Sequence, residues 1–157
     1  MPMIELDDLD RRILDLLQQD GALSNQDLAM RVHASPPTCL RRVRRLTQAG
    51  IIQRRVAILD PALMGATLTV LIEVTLDAQA AAQTDEFESR LLAEPAIQQC
   101  YRVSSGPDFV LIALVADMAA YQALALRCLT SDPRVRNVRS FFVTRRSKFD
   151  TRIPLAP

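Results

Sequence analysis

The stretch Ser35-Pro36-Pro37-Thr38-Cys39-Leu40-Arg41-Arg42-Val43-Arg44-Arg45-Leu46 decides how the rest of the sequence is read. It opens on Ser35, a good helix N-cap, followed by prolines in the first turn, where no backbone hydrogen bond is lost. Gly50 closes it, a common residue just past a helix end. At about 100° per residue, Cys39, Leu40, Val43 and Leu46 gather on one side. Thr38, Arg41, Arg45 and Gln48 gather on the other, with Arg42 and Arg44 on the flanks. The pattern predicts a short helix with an apolar back and a guanidinium-rich front. Such a helix can rest on a small core while pressing into a polyanion.

Working outward, the periodicity predicts a first helix over roughly Asp7 to Gln19, with Leu6, Leu9, Ile13, Leu16 and Leu17 on one face and Asp7 as its cap. Asp20-Gly21 ends it. Ser24 caps a second, shorter helix through about Val32, with Asp27 in a capping-box-like position. The turn His33-Ala34 then leads into the Ser35 helix. Ile51 to Leu59 is rich in β-branched residues and is expected to be an extended strand, stopped by Asp60-Pro61. Three helices and a strand, with a tight turn between the last two helices, describe a winged helix-turn-helix. Its third helix is the one that enters the major groove of double-stranded DNA.

After Pro61 the pattern changes. Leu68 to Leu76 alternates as a half-buried strand, and a helix begins between Ala78 and Asp85 and ends near Glu94. Ile97 to Ser104 and Phe109 to Val115 are expected strands, joined by the Ser105-Gly106-Pro107 turn. Asp117 caps a further helix carrying Tyr121, Leu124, Ala125 and Cys128 at helical spacing, and Val135 to about Lys148 is a last strand. The order βαββαβ is the ferredoxin-like arrangement, which makes the whole chain α+β. Residues 1–60 are expected to be the nucleic-acid-binding domain, with a hinge strand at about 51–60, and residues 61–157 the second domain. The strand from Phe109 is apolar on both faces, so something must cover the face that the helices leave open. A second copy, packed sheet to sheet about a two-fold axis, does so economically.

Composition narrows the function. The chain has 157 residues, 49% hydrophobic and 24% charged, with a formal net charge of only +1. Bulk charge therefore says little, but its distribution says more. From Leu28 to Leu59 there is no Asp or Glu, while Arg31, Arg41, Arg42, Arg44, Arg45, Arg54 and Arg55 fall there. Arg carries a planar fork of donors that suits phosphates and guanine edges. No apolar run approaches the roughly 20 residues of a membrane span, and the acidic N-terminus does not read as a signal peptide. A cytoplasmic location is expected. The three cysteines, Cys39, Cys100 and Cys128, have no CxxC pair and read as buried thiols. The single histidine, His33, reads as a turn residue, and no metal or cofactor is expected.

The motifs together resemble the Lrp/AsnC (leucine-responsive/asparagine-responsive, feast/famine) family of transcription regulators. The resemblance rests on Leu9-Asp10-Arg11-Arg12-Ile13-Leu14, Asp20-Gly21, Ser24-Asn25, Leu28-Ala29, the Ser35 helix and Gly50-Ile51-Ile52. In the second half it rests on Asp108-Phe109-Val110-Leu111, Asp117-Met118, Tyr121 and the Pro133–Val135 turn. It implies a DNA-binding regulator that forms homodimers, often octamers, and takes an amino acid effector between subunits near the turn joining the second and third strands. Ser35, Pro37, Thr38, Arg41, Arg42, Arg44, Arg45 and Arg54 are the expected DNA-binding residues. Thr38 and Arg41 are placed at base edges, and Arg44 and Arg45 at phosphates. Ser104, Ser105, Gly106, Asp108 and Ser140 are the expected effector-binding residues. The chain departs from the family pattern where Ser105 takes a glycine position, Ser140 a common threonine, and Arg145-Arg146 positions that are often acidic.

Two other functions compete. One is an architectural protein that binds DNA without any effector. The other is a decarboxylase-type enzyme on the same scaffold. It is disfavoured because the second half has no histidine, no paired carboxylates and no nucleophile motif.

Overall fold

Side-chain caps set where the helices start. In the computed structural model, which describes residues 5–64, 68–77 and 81–155, helix α1 spans Asp8–Gln19, α2 Asn25–Arg31 and α3 Pro36–Gln48. Asp7 accepts from the Asp10 backbone N–H while the Asp10 side chain accepts from that of Asp7, a reciprocal capping box. Ser24 and Ser35 accept from the N–H groups of Asp27 and Thr38. Between α2 and α3 the chain reverses at His33, whose φ of 54° lies in the left-handed region that His tolerates better than most residues. Gly50, with φ 75°, ends α3.

Contacts divide the chain into two units, one built from residues up to Ile58 together with those from Lys148 onward, the other from Leu59 to Ser147. The core of the first is Ile13, Leu14, Leu28, Ala29, Val32, Cys39 and Leu46. Leu155, at the far end of the sequence, packs against it. The tail is also held by Gln18, whose side chain accepts from Ile153 N at 2.6 Å and donates to Ile153 O at 3.1 Å. That pair imitates one rung of a β-ladder against a helix.

The segment expected as a strand from Ile51 to Leu59 makes no ladder pairing among the described residues. Val56, Ile58 and Leu59 are largely exposed. β-Branched composition favours an extended backbone but supplies no neighbour to bond with, and a strand needs one. A second correction concerns Leu40, placed on the apolar back of α3 but 40% exposed. Cys39 and Leu46 mark the buried line of the helix, and Leu40 lies about 100° round from it.

The second unit comprises β1 (Leu68–Leu76), α4 (Ala81–Leu92), β2 (Ile97–Arg102), β3 (Phe109–Val115), α5 (Met118–Ala125) and β4 (Val135–Phe142). The antiparallel sheet has the order β2-β3-β1-β4, the ferredoxin-like topology. Residue 78, one bound expected for α4, lies outside the described residues. α5 widens into a π-helical turn over Leu126–Thr130, which the sequence pattern did not indicate. β4 stops at Phe142 instead of running on to Lys148. Its last pair is Val70–Phe142, after which Val143 N donates to Thr69 O. β2 likewise ends at Arg102, two residues before Ser104.

Alternation along β1 and β3 puts Val70, Ile72, Val74, Phe109, Leu111 and Ala113 under the helices, against Phe87, Leu91, Leu124 and Leu129. Phe87 and Phe109 meet with ring centroids 5.5 Å apart. The other face of the sheet carries half-buried Val110, Ile112 and Leu114 beside exposed Leu71, Tyr101 and Phe141. The buried carboxylate of Asp132 fastens the turn before β4 to α4, pairing with Arg90 and with Arg134 Nη2 at 2.9 Å. Phe109 sits at the centre of this core. Phe109→Ala is expected to lower the unfolding free energy of the full chain by about 3–5 kcal/mol, read from urea denaturation midpoints.

Candidate nucleic-acid interface

α3 holds its front residues on a helix fixed at its N-terminal end. Ser35 Oγ caps the helix and shares a hydrogen bond of 2.8 Å with Thr38 Oγ1. Asn25 at the start of α2 donates to the Pro36 carbonyl at 2.9 Å, locking the angle of the turn. Ser35, Pro37, Arg41 and Arg44 are exposed and Thr38 half-buried. Arg41 and Arg44 make no ion pair among the described residues, and the same holds for exposed Arg54 and Arg55 beyond the helix. Guanidiniums that hold no acidic partner of their own attract phosphate more readily than paired ones.

The other two arginines behave differently. Arg42 Nη1 lies 2.6 Å from Asp7 Oδ2 and 3.3 Å from Asp10 Oδ2. Arg45 Nη2 is bonded to Asp10 Oδ2. The Asp10 side chain is 0% exposed, and Arg45 Nε is buried without a partner. Arg45 was expected on the free front of the helix with Thr38 and Arg41, and Arg42 on a flank free for DNA. Both instead line the edge of α3 that faces α1, roughly 60° and 120° round from the Cys39–Leu46 line. The Asp7 carboxyl is held below the usual range, first by the bond from the Asp10 backbone N–H and then by Arg42. Arg42 is raised in turn, chiefly by its hydrogen bond to Asp7. A carboxylate with no access to water must be paired, because stripping one ion from a buried pair costs about 3–5 kcal/mol. An exposed ion pair contributes only about 0.2–1 kcal/mol.

Sequence reading did not single out Asp10 as the partner of Arg42 and Arg45, although a signal was present. Asp10 is three residues before Ile13 on the apolar stripe of α1, and a carboxylate there calls for a cation from another element.

The residues expected to hold an effector fall into two groups. Ser104, Ser105 and Gly106 are exposed on the β2–β3 turn, and Gly106 has a φ of 89°. Asp108 closes the turn: its Oδ2 accepts from Leu76 N at 2.7 Å, and its own N–H donates to Val74 O at 2.8 Å. Its carboxylate therefore pins β1 to the turn. Ser140 is not with them. It sits opposite Ile72 in the β-ladder and its hydroxyl bonds the Tyr121 hydroxyl of α5, on the helix-covered side of the sheet. Strand numbering could not show that, since a strand sends alternate residues to opposite faces. The thiols of Cys39, Cys100 and Cys128 are pushed up by burial, which makes them poor nucleophiles.

Two family profiles cover most of the chain: a winged helix-turn-helix DNA-binding profile matches residues 6–53, and the Lrp/AsnC ligand binding domain matches residues 69–153. The chain is 39% identical over 152 residues to the leucine-responsive regulatory protein of Escherichia coli K12, covering 97% of this chain and 93% of that one. An uncharacterized HTH-type transcriptional regulator of Haemophilus influenzae is 39% identical over 153 residues, 98% of this chain and 91% of the relative. Among solved structures, an AsnC family regulator from Agrobacterium tumefaciens superposes with a TM-score of 0.89 at 34% identity, covering 95% of this chain and 97% of that one. A transcriptional regulator from Neisseria meningitidis, solved as an L-Met complex, does so with a TM-score of 0.89 at 33% identity over 96% and 97%.

Depression of the Asp7 pKa has a pH consequence. The bonds it makes are fully present above the ordinary Asp value of about 3.9 and are lost as pH falls through its lower folded value. An NMR titration of the Asp7 carboxyl carbon is expected to show a midpoint below the ordinary Asp value of about 3.9, and removal of Arg42 is expected to raise it.

Proposed function

This chain belongs to the Lrp/AsnC family of helix-turn-helix transcriptional regulators, and we propose that it reads DNA with α3 of each subunit of a homodimer while its second domain senses an amino acid. It is a DNA-binding transcription regulator, not an enzyme. The observation that carries the proposed contacts is the pair Arg41 and Arg44, exposed and without acidic partners on a capped helix. Thr38 and Arg41, in the N-terminal half of the helix, face base edges. Arg44 takes a phosphate and Arg54 follows the backbone beyond the helix, with Ser35 and Pro37 lining its entry. The boundary near residue 60 then separates reading from sensing.

The homodimer is supported by the open face of the sheet, where Leu71, Tyr101 and Phe141 lie exposed beside Val110, Ile112 and Leu114. Two such faces cover one another, and further pairing of dimers gives the octamer. No described helix is long and apolar enough to cross a membrane, and a regulator that meets DNA in a bacterial relative works in the cytoplasm.

The effector reading rests on the β2–β3 turn. Backbone N–H groups around Ser104, Ser105 and Gly106 suit an α-carboxylate, and a carboxylate such as Asp108 suits an α-ammonium. The Neisseria relative with bound L-Met supports an amino acid as the class. Asp108 already serves Leu76 N–H, which favours the architectural, effector-free reading as the second one. Isothermal calorimetry across the twenty amino acids separates them: heat with at least one is expected, and no heat with any supports the architectural reading. For DNA, Arg41→Ala is expected to weaken binding to a duplex selected from random sequence and to relax base preference by about 1–3 kcal/mol. Native affinity in a gel-shift titration would rule the Arg41 contact out.

A further inference from the structure

Four arginines crowd α3, yet they face two carboxylates from α1 as well as solvent. Asp7 and Asp10 bring two negative charges to the edge of the helix, and Arg42 and Arg45 bring two positive ones. Arg42 Nη1 is shared between both acids, closest to Asp7 at 2.6 Å. The second cation must come from Arg45, which has Asp10 as its acidic partner. Without Arg45, one guanidinium would balance two carboxylates, one of them wholly shut off from water. A DNA phosphate offers Arg45 less, being hydrated and screened by counterions. Arg45 Nε is buried and unpartnered on the α1 side, although 41% of the side chain is exposed.

We propose that Asp10 is a positioning residue for DNA recognition: it withholds Arg45 from the phosphates, so that α3 offers two guanidiniums to DNA instead of four. Asp7 does the same for Arg42. The inference rests on the reading of α3 as the DNA-contacting helix. Its consequence is a weaker sequence-independent attraction, since each phosphate-bound cation adds to affinity for any duplex. A helix with fewer phosphate contacts leaves more of the discrimination to Thr38 and Arg41. The same two bonds seat α3 on α1, so Asp10 fixes the position of the reading face as well as its charge.

The test is the salt dependence of binding to a mixed-sequence duplex of about 30 base pairs, where each lost phosphate contact lowers the slope of log K against log salt by about 0.9. Full-length native protein is compared with R44A, D10N and the double variant D10N/R45M. Asp10→Asn frees Arg45 while Asp7 keeps Arg42, so the slope is expected to steepen by about 0.9, a gain that a purely structural role would not produce. The double variant is expected to return to the native slope, and R44A to fall by about 0.9. A fall in the double variant matching that of R44A overturns the inference, because Arg45 would then have been a phosphate contact all along. An unchanged slope in folded D10N also overturns it. If D10N does not fold, the double variant, which removes the buried charge together with its partner, decides alone. Native slopes in R44A as well as the double variant overturn the DNA reading of α3, and this inference with it.

Discussion

A carboxylate shut away from water at Asp10 is the constraint on which the first unit depends. Its position on the apolar stripe of α1 would be destabilising without a counter-charge, and the counter-charge sits 35 residues later on α3. Joining them fixes α3 against α1 at the edge where hydrophobic packing through Cys39 and Leu46 leaves off. The capping box couples the two events. Asp10 bonds the Asp7 backbone while Asp7 caps the helix and holds Arg42, so starting α1 correctly also sets the seat for α3. Local helix formation and tertiary placement share the same four side chains.

Function follows from which arginines that network leaves over. An acid-free run in the sequence does not mean an acid-free neighbourhood in the fold, because another helix can supply the acids. Arg42 and Arg45 are turned toward α1, and Arg41 and Arg44 toward solvent. In the second unit Asp132 plays a comparable part, gathering Arg90 and Arg134 around a buried carboxylate to hold α4 and β4 together. The sheet above it carries its apolar surplus on the open face. Each unit thus keeps one surface in reserve: guanidiniums on α3, aliphatic and aromatic side chains on the sheet.

Features set by near neighbours in sequence were legible in advance. Ser24, Ser35, Asp7 and Asp117 each cap the helix expected of them, since a cap acts over only three residues. β1 and β3 begin and end where alternation and apolar character begin and end. The sheet order followed from the element order, because few connections satisfy a βαββαβ chain. Features that need a distant partner were not legible. Ile51 to Leu59 has the composition of a strand but finds no ladder among the described residues, and β4 stops when its pairing with β1 stops. Ser140 looked like a pocket residue by position, yet its face of the sheet gives it to Tyr121. Arg45 looked free because its acid is 35 residues away.

The most direct measurement of this account is a crystal structure of the full chain on a duplex selected from random sequence. The account predicts Arg41 within hydrogen-bond distance of a base edge, with Arg45 still on Asp10. A structure in which Arg45 has left Asp10 for a phosphate, while Arg41 faces solvent, would contradict it.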